Sequence, residues 1–217
     1  MEEKKALPIL SPEEIRVLGV LMEKSKTTPE YYPMTVNAIT VACNQKTSRK
    51  PVVQYDDQTV TLVLDTLKRK GLISTATGGS SRAIKYKHNF AIVFPVLPAE
   101  VSILCLLMLR GPQTPGELNT NSGRLYEFES LEEVQAVLER LSDPELAYVV
   151  QLPRRAGQKE TRFTHLLGGE PDLTQLEQEA DSYTKPAGEL EIRLSKVEEE
   201  LATLKADFDK LMKELMG

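Results

Sequence analysis

Residues 14–24 read EIRVLGVLMEK, and residues 100–110 read EVSILCLLMLR, the same apolar pattern repeated at an offset of 86. Self-similarity at a fixed offset marks a repeated structural unit, and here it decides the fold before any single motif does. The Thr-Pro pair at 28–29 returns at 114–115 with that same offset. Further along, VTLVLDTL (60–67) matches VQAVLERL (134–141) at an offset of 74, and KYKH (85–88) resembles RFTH (162–165). The offset falls by 12, which the sequence assigns to the stretch TVACNQKTSRKPVVQYDDQTV (40–60) as an insertion between the second and third elements of the first copy.

Each copy predicts three helices and a hairpin. Ser11 can cap the first helix, Pro12 suits its first turn, and Glu13 and Glu14 complement its dipole. Ile15, Leu18, Leu21 and Met22 recur at helical spacing. A second helix is expected from near Pro33 to around Cys43–Gln45. The third places Val60, Val63, Leu64 and Leu67 on one face and stops at Gly71. LISTATGGSSRAIKYKH (72–88) then reads as two strands about a Gly-Gly-Ser-Ser turn, and AYVVQLPRRAGQKETRFTH (147–165) as its counterpart. Helix, helix, helix and hairpin make a winged-helix module. The expected fold is therefore mainly α with small β wings: winged-helix (helix-turn-helix) domains in tandem over 1–96 and 97–169.

An acidic stretch, 170–189, with Gly and Pro near its ends, reads as a linker. After it, Leu190, Leu194, Val197, Leu201, Leu204, Phe208, Leu211 and Leu215 alternate spacings of four and three, a heptad seam over 190–217. With Leu194 at position a, Arg193 and Glu200 of one helix would meet Glu198 and Lys205 of a parallel partner, both attractive pairings. A coiled-coil homodimer is expected, with a helix folded back on its own chain as the alternative.

Composition narrows the function. A hydrophobic content of 41% with 27% charged residues is that of a globular protein. The longest apolar run, VSILCLLML (101–109), is too short to span a bilayer, and no membrane partner is expected. MEEKKALPIL lacks a signal-peptide core, so a cytoplasmic location is expected. Cys43 and Cys105 read as lone buried thiols. The net charge of −5 is unevenly distributed: residues 1–96 sum to +5, 97–169 to −3 and 170–217 to −7. Such asymmetry points to a basic face on the first copy.

Catalytic signals are absent. His88 and His165 close the two hairpins beside aromatic residues, as packing residues would. No Cys-x-x-Cys or histidine cluster suggests a metal, no phosphate-binding glycine motif or nucleophile elbow occurs, and Cys43 has no nearby base. Neither enzyme activity nor a cofactor is expected. The candidate nucleic-acid contacts are Lys46, Arg49 and Lys50 in the insertion, Gln58 and Arg69 on the third helix, and Arg82, Lys85 and Lys87 on the wing. Asp65 and an outward Leu62 on that helix argue instead for a protein contact. In the second copy the corresponding face holds Glu132, Ala136 and Glu139 and should repel DNA. Double-stranded DNA, a second copy of the chain and another protein are the partners to consider.

RVLGVLMEKSKTTPEYYPMTVNAITVACNQKTSRKPV (16–52), RGPQTPGEL (110–118), RLYEF (124–128) and RFTHLLGG (162–169) closely resemble the YceH-like proteins of bacteria. The resemblance extends over roughly residues 10–169 and into the heptad tail. It implies a tandem winged-helix fold and dimer formation, and carries neither an assigned activity nor transferable site residues.

Overall fold

A computed structural model describes residues 7–76, 83–154 and 160–173, together with 196, 198, 199, 203 and 205. The described residues up to Glu170 form one compact unit. The described part is mainly helical, with seven α-helices and two antiparallel strand pairs.

The first copy contributes α1 (Pro12–Thr27), a 3-10 turn (Pro29–Tyr31), α2 (Val36–Cys43), α3 (Asp57–Arg69), β1 (Ile73–Ala76) and β2 (Lys85–His88). A short α4 (Phe90–Val93) leads to the second copy: α5 (Pro98–Arg110), α6 (Pro115–Ser122), α7 (Leu131–Leu141), β3 (Val149–Gln151) and β4 (Phe163–His165). The caps follow the sequence. Ser11 Oγ accepts from Glu14 N–H while Glu14 Oε2 accepts from Ser11 N–H, closing a capping box. Gly71, at φ +76°, ends α3; its N–H bonds Lys68 C=O, and Leu72 N–H bonds Leu67 C=O. That paired closure needs the left-handed conformation glycine adopts without strain.

The 12 additional residues do not all fall where the sequence placed them. Between α2 and α3 the chain runs 44–56, only five residues longer than its counterpart 123–130. The other seven lie before α2, where α1 is longer than α5 and a 3-10 turn follows it. Thr114 caps α6 directly, whereas Thr28 only opens the 3-10 turn and Thr35 caps α2. One Thr-Pro pair thus serves two roles, and its equal offset concealed the first insertion.

Each hairpin gains a third strand-like partner that periodicity did not reveal. Met34 and Tyr86 exchange backbone hydrogen bonds of 3.1 and 2.8 Å, and Gln113 and Phe163 do so at 3.1 and 2.8 Å. Both copies therefore tie the residue just before the second helix to the last strand.

The core is continuous across the two copies. Burial is nearly complete along α5, which explains why VSILCLLML is apolar without periodicity: it has no solvent face. The two helices approach closely at Gly19, where an added Cβ would lie 3.0 Å from Leu109 Cδ2, and Cys105 Sγ donates to Gly19 C=O at 3.4 Å. The same acid serves both copies. Glu14 meets Lys70 Nζ at 2.7 Å and accepts from Thr66 Oγ1, and Glu100 meets Arg140 Nε at 2.9 Å. Burial alone would raise the Glu14 carboxyl, but its hydrogen bonds with Lys70, Ser11 and Thr66 hold it below the ordinary range.

The second unit, Pro171–Gly217, has described helical residues at 196, 198, 199, 203 and 205. The expected dimer residues Leu190, Leu194, Val197, Leu201, Leu204, Phe208, Leu211 and Leu215 lie outside the described residues.

Candidate nucleic-acid interface

The third helix of the first copy is oriented as its spacing predicts. Val60, Val63, Leu64 and Leu67 are buried, and Gln58, Leu62, Asp65 and Arg69 are exposed. Its N-terminus is acidic: Asp56 caps it by accepting from Thr59 N–H at 2.7 Å, and Asp57 Oδ1 accepts from Thr40 Oγ1 at 2.5 Å. Positive charge gathers at the other end, where Lys68 and Arg69 project into solvent and Lys70 turns inward to Glu14.

On the first hairpin, Tyr86 is buried while Lys85 and Lys87 share the opposite face. Their cross-strand neighbours, Ala76 and Ser74, carry no charge. Ile84 precedes the strand and is exposed. Arg82 lies outside the described residues. The second copy differs at the register of Lys85. There Arg162 pairs with both Glu117 carboxylate oxygens, at 2.8 and 2.9 Å, and bonds Pro112 C=O. Ala38 stands on α2 at the position of Glu117 on α6. Among the described residues, no carboxylate pairs with Lys85 or Lys87.

The connection between α2 and α3 separates the three cations that the sequence grouped. Arg49 is not a surface cation: its side chain has 0% exposure. Its guanidinium binds both Glu23 carboxylate oxygens at 3.0 and 2.6 Å, and also donates to Ala42 C=O, Ser48 C=O and Gln45 Oε1. The sequence could not foresee this, because the acid it meets lies 26 residues earlier, at the end of α1. Glu23 would be raised by burial, but Arg49, with Lys24, brings it below the usual carboxylate range. Lys50 is half-buried; its backbone N–H bonds Leu109 C=O at 2.8 Å, joining the connection to the second copy. Lys46 remains exposed. Arg16, buried in α1, steadies the connection from below by donating to Cys43 and Pro51 carbonyls.

The remaining reactive side chains are sequestered. Burial pushes the Cys43 thiol up to about 12 and raises that of Cys105. Burial lowers both histidines to about 4, His88 with a further contribution from Lys26. His88 Nδ1 accepts from Phe90 N–H at 3.3 Å, which leaves Nε2–H to meet Ser25 Oγ at 3.2 Å. On α7, Glu132, Ala136 and Glu139 are exposed, leaving an acidic face where α3 is mixed. Among the described residues, no helix is long and apolar enough to cross a membrane.

Two duplicated helix–helix–helix–hairpin units with a hairpin-borne pair of lysines define a mainly helical protein with wing-like strand pairs. Residues 10–158 match the family described as "Protein of unknown function, DUF480". A UPF0502 protein of Opitutus terrae is 50% identical over 172 residues, covering 79% of this chain and 75% of that relative. One from Shewanella sp. strain MR-7 is 42% identical, covering 95% and 99%, and one from Solibacter usitatus is 44% identical, covering 92% and 95%. The chain belongs to this DUF480/UPF0502 family.

Proposed function

We propose that the protein is a non-enzymatic, cytoplasmic, DNA-associated dimer built from tandem winged-helix modules, with the first module facing DNA and the heptad tail joining two chains. The observation that supports this reading is the wing of the first copy. Lys85 and Lys87 share one face with uncharged cross-strand neighbours, whereas the equivalent Arg162 is neutralised by Glu117. Cations without internal partners can exchange counterions for phosphates directly, whereas a cation in an ion pair must first give up its partner. Gln58 and Arg69 on α3 are the side chains placed to meet base edges. Lys46 extends the basic surface, and Arg49 does not.

Fluorescence anisotropy of the full chain on random duplex DNA, across a range of salt, tests the reading. Binding should fall steeply with salt, and Lys85→Glu with Lys87→Glu should lower the salt slope by about two. An unchanged slope, or no binding at low salt, removes it.

A second reading is favoured by Leu62, which is 62% exposed at the centre of the α3 outer face. A large apolar side chain there, with Asp65 nearby and an acidic α7, suits a protein partner and a scaffold role. On this reading a co-purified partner is lost from Leu62→Asp and kept by the wing variant. The reverse pattern would return the assignment to DNA.

A further inference from the structure

A cleft of about 350 Å³ opens where the end of α1 and the α2–α3 connection meet α5 and the end of α6. That volume lies within the roughly 300–1,000 Å³ typical of small-molecule sites. Lys24, Lys46, Arg110 and Arg124 line it, with Leu106 and Leu125 as apolar wall. Glu23 is the one carboxylate among the described residues that line it, and Arg49 and Lys24 both engage it. Arg49, buried behind the wall, offsets the Glu23 charge, so the four lining cations leave a surplus of four positive charges.

The wall is built rather than incidental. Arg110 donates to Asn121 Oδ1 at 2.7 Å and to Ser48 Oγ at 2.9 Å, which fixes its planar fork. Ser48 holds a left-handed backbone at φ 59°, and Arg49 secures it by donating to its carbonyl at 2.9 Å. Non-glycine residues in that region need surrounding structure to hold them, and they gather at binding loops. Lys46 and Arg124 are exposed and form no ion pair among the described residues.

We propose that this cleft binds a small phosphate-bearing molecule carrying at least two negative charges. A single carboxylate would leave most of the surplus unmatched, whereas a phosphate dianion or pyrophosphate group offers several oxygens to guanidinium forks and an ammonium. Leu106 and Leu125 would receive the organic portion. Because the first copy supplies Lys24 and Lys46 and the second supplies Arg110 and Arg124, the ligand would bridge the copies and stabilise their packing.

Calorimetric titration of the full chain with sodium pyrophosphate, at constant ionic strength, is the test. One saturable site per chain is expected. Lys46→Glu and Arg124→Glu should each weaken it about tenfold or more, since each turns an attraction into a repulsion. Circular dichroism should show both variants folded, as neither side chain supports the core. The wing variant Lys85→Glu with Lys87→Glu should bind as the wild type does. Absence of a saturable site overturns the proposal. So does equal weakening in the wing variant, which would mean diffuse attraction to basic surface. Displacement of pyrophosphate by duplex DNA would assign the cleft to the DNA surface and overturn the small-ligand assignment, while DNA binding without displacement separates the two sites.

Discussion

Just before the last strand of the second copy, Arg162 reaches back to Glu117 on α6; in the first copy the equivalent residue is Lys85, and α2 carries Ala38 at the position of Glu117. The two copies otherwise share a first helix in the core, an acid that joins it to the third helix, and a bridge from the residue before the second helix to the hairpin. What differs is how each copy places its ion pairs. The second closes its hairpin with a salt bridge; the first leaves the hairpin cationic and uses its shortest described pair, Arg49–Glu23, to tie the α2–α3 connection to α1. A repeated core can therefore carry two electrostatic surfaces, because the core fixes the backbone and leaves the outward positions open to change.

The sharpest way to break this comparison is to remove the pair that only the first copy has. Arg49→Ala leaves Glu23 buried without its main partner, and breaking a buried pair from one side costs about 3–5 kcal/mol. Urea unfolding should show that loss. Glu117→Gln, which opens the half-exposed pair of the second copy, should cost under about 1 kcal/mol. Similar losses in the two variants would mean that the α2–α3 connection is not held by Arg49.

The histidines compare the copies through pH. Both are lowered to about 4 in the folded protein against about 6.5 when unfolded. The unfolded chain therefore takes up protons first as pH falls, so stability should be full above pH 6.5 and decline toward pH 4. Each ring can contribute on the order of 3 kcal/mol over that window. Glu14 and Glu23, held below their ordinary range, act at lower pH: their contribution is present above about 4.5 and lost as pH falls through their folded values. The slope between pH 6.5 and 5 thus isolates the histidines. Unfolding midpoints at several pH values should show it roughly halved in His88→Phe and in His165→Phe. A slope unchanged in both variants would show that neither ring is buried neutral.

Element order was legible in the sequence because caps and periodicity are local. Ser11 with Glu14, the inward face of α3 and Gly71 could be read within a few residues. Partners far apart in sequence could not. Arg49 looked like a surface cation because nothing near it announces Glu23, and the cleft cations come from four separate elements. The hairpin bridges were hidden for a related reason, since Met34 and Gln113 each pair through the backbone, which leaves no side-chain signature. Even the repeat misled where a single offset was read as a single insertion.

Gly19→Ala probes the contact that joins the copies. The added methyl would meet Leu109 Cδ2 at 3.0 Å, Leu109 Cγ at 3.1 Å and Met108 Cβ at 3.3 Å. Alanine favours the helix by roughly 1 kcal/mol over glycine, while overpacking costs about 1–3 kcal/mol. A net loss of about 1 kcal/mol is expected from urea unfolding. Stabilisation instead would show that α1 and α5 can separate slightly without cost, and that the shared core is looser there than Gly19 suggests.

The smallest expected effect concerns the one Thr-Pro pair that the two copies use differently. Thr114 Oγ1 accepts from Glu117 N–H and caps α6, so Thr114→Ala should cost about 1 kcal/mol. Thr28 makes no side-chain cap to the turn that follows it; its hydroxyl reaches back to Lys24 C=O at a long 3.4 Å. Thr28→Ala should therefore change stability by less than about 0.5 kcal/mol. The cap of α2 belongs to Thr35, whose Oγ1 accepts from Ala38 N–H, and Thr35→Ala should resemble Thr114→Ala. If Thr28→Ala proved as costly as Thr114→Ala, the second helix of the first copy would depend on the 3-10 turn, and the seven residues before α2 would be part of the unit rather than an addition to it.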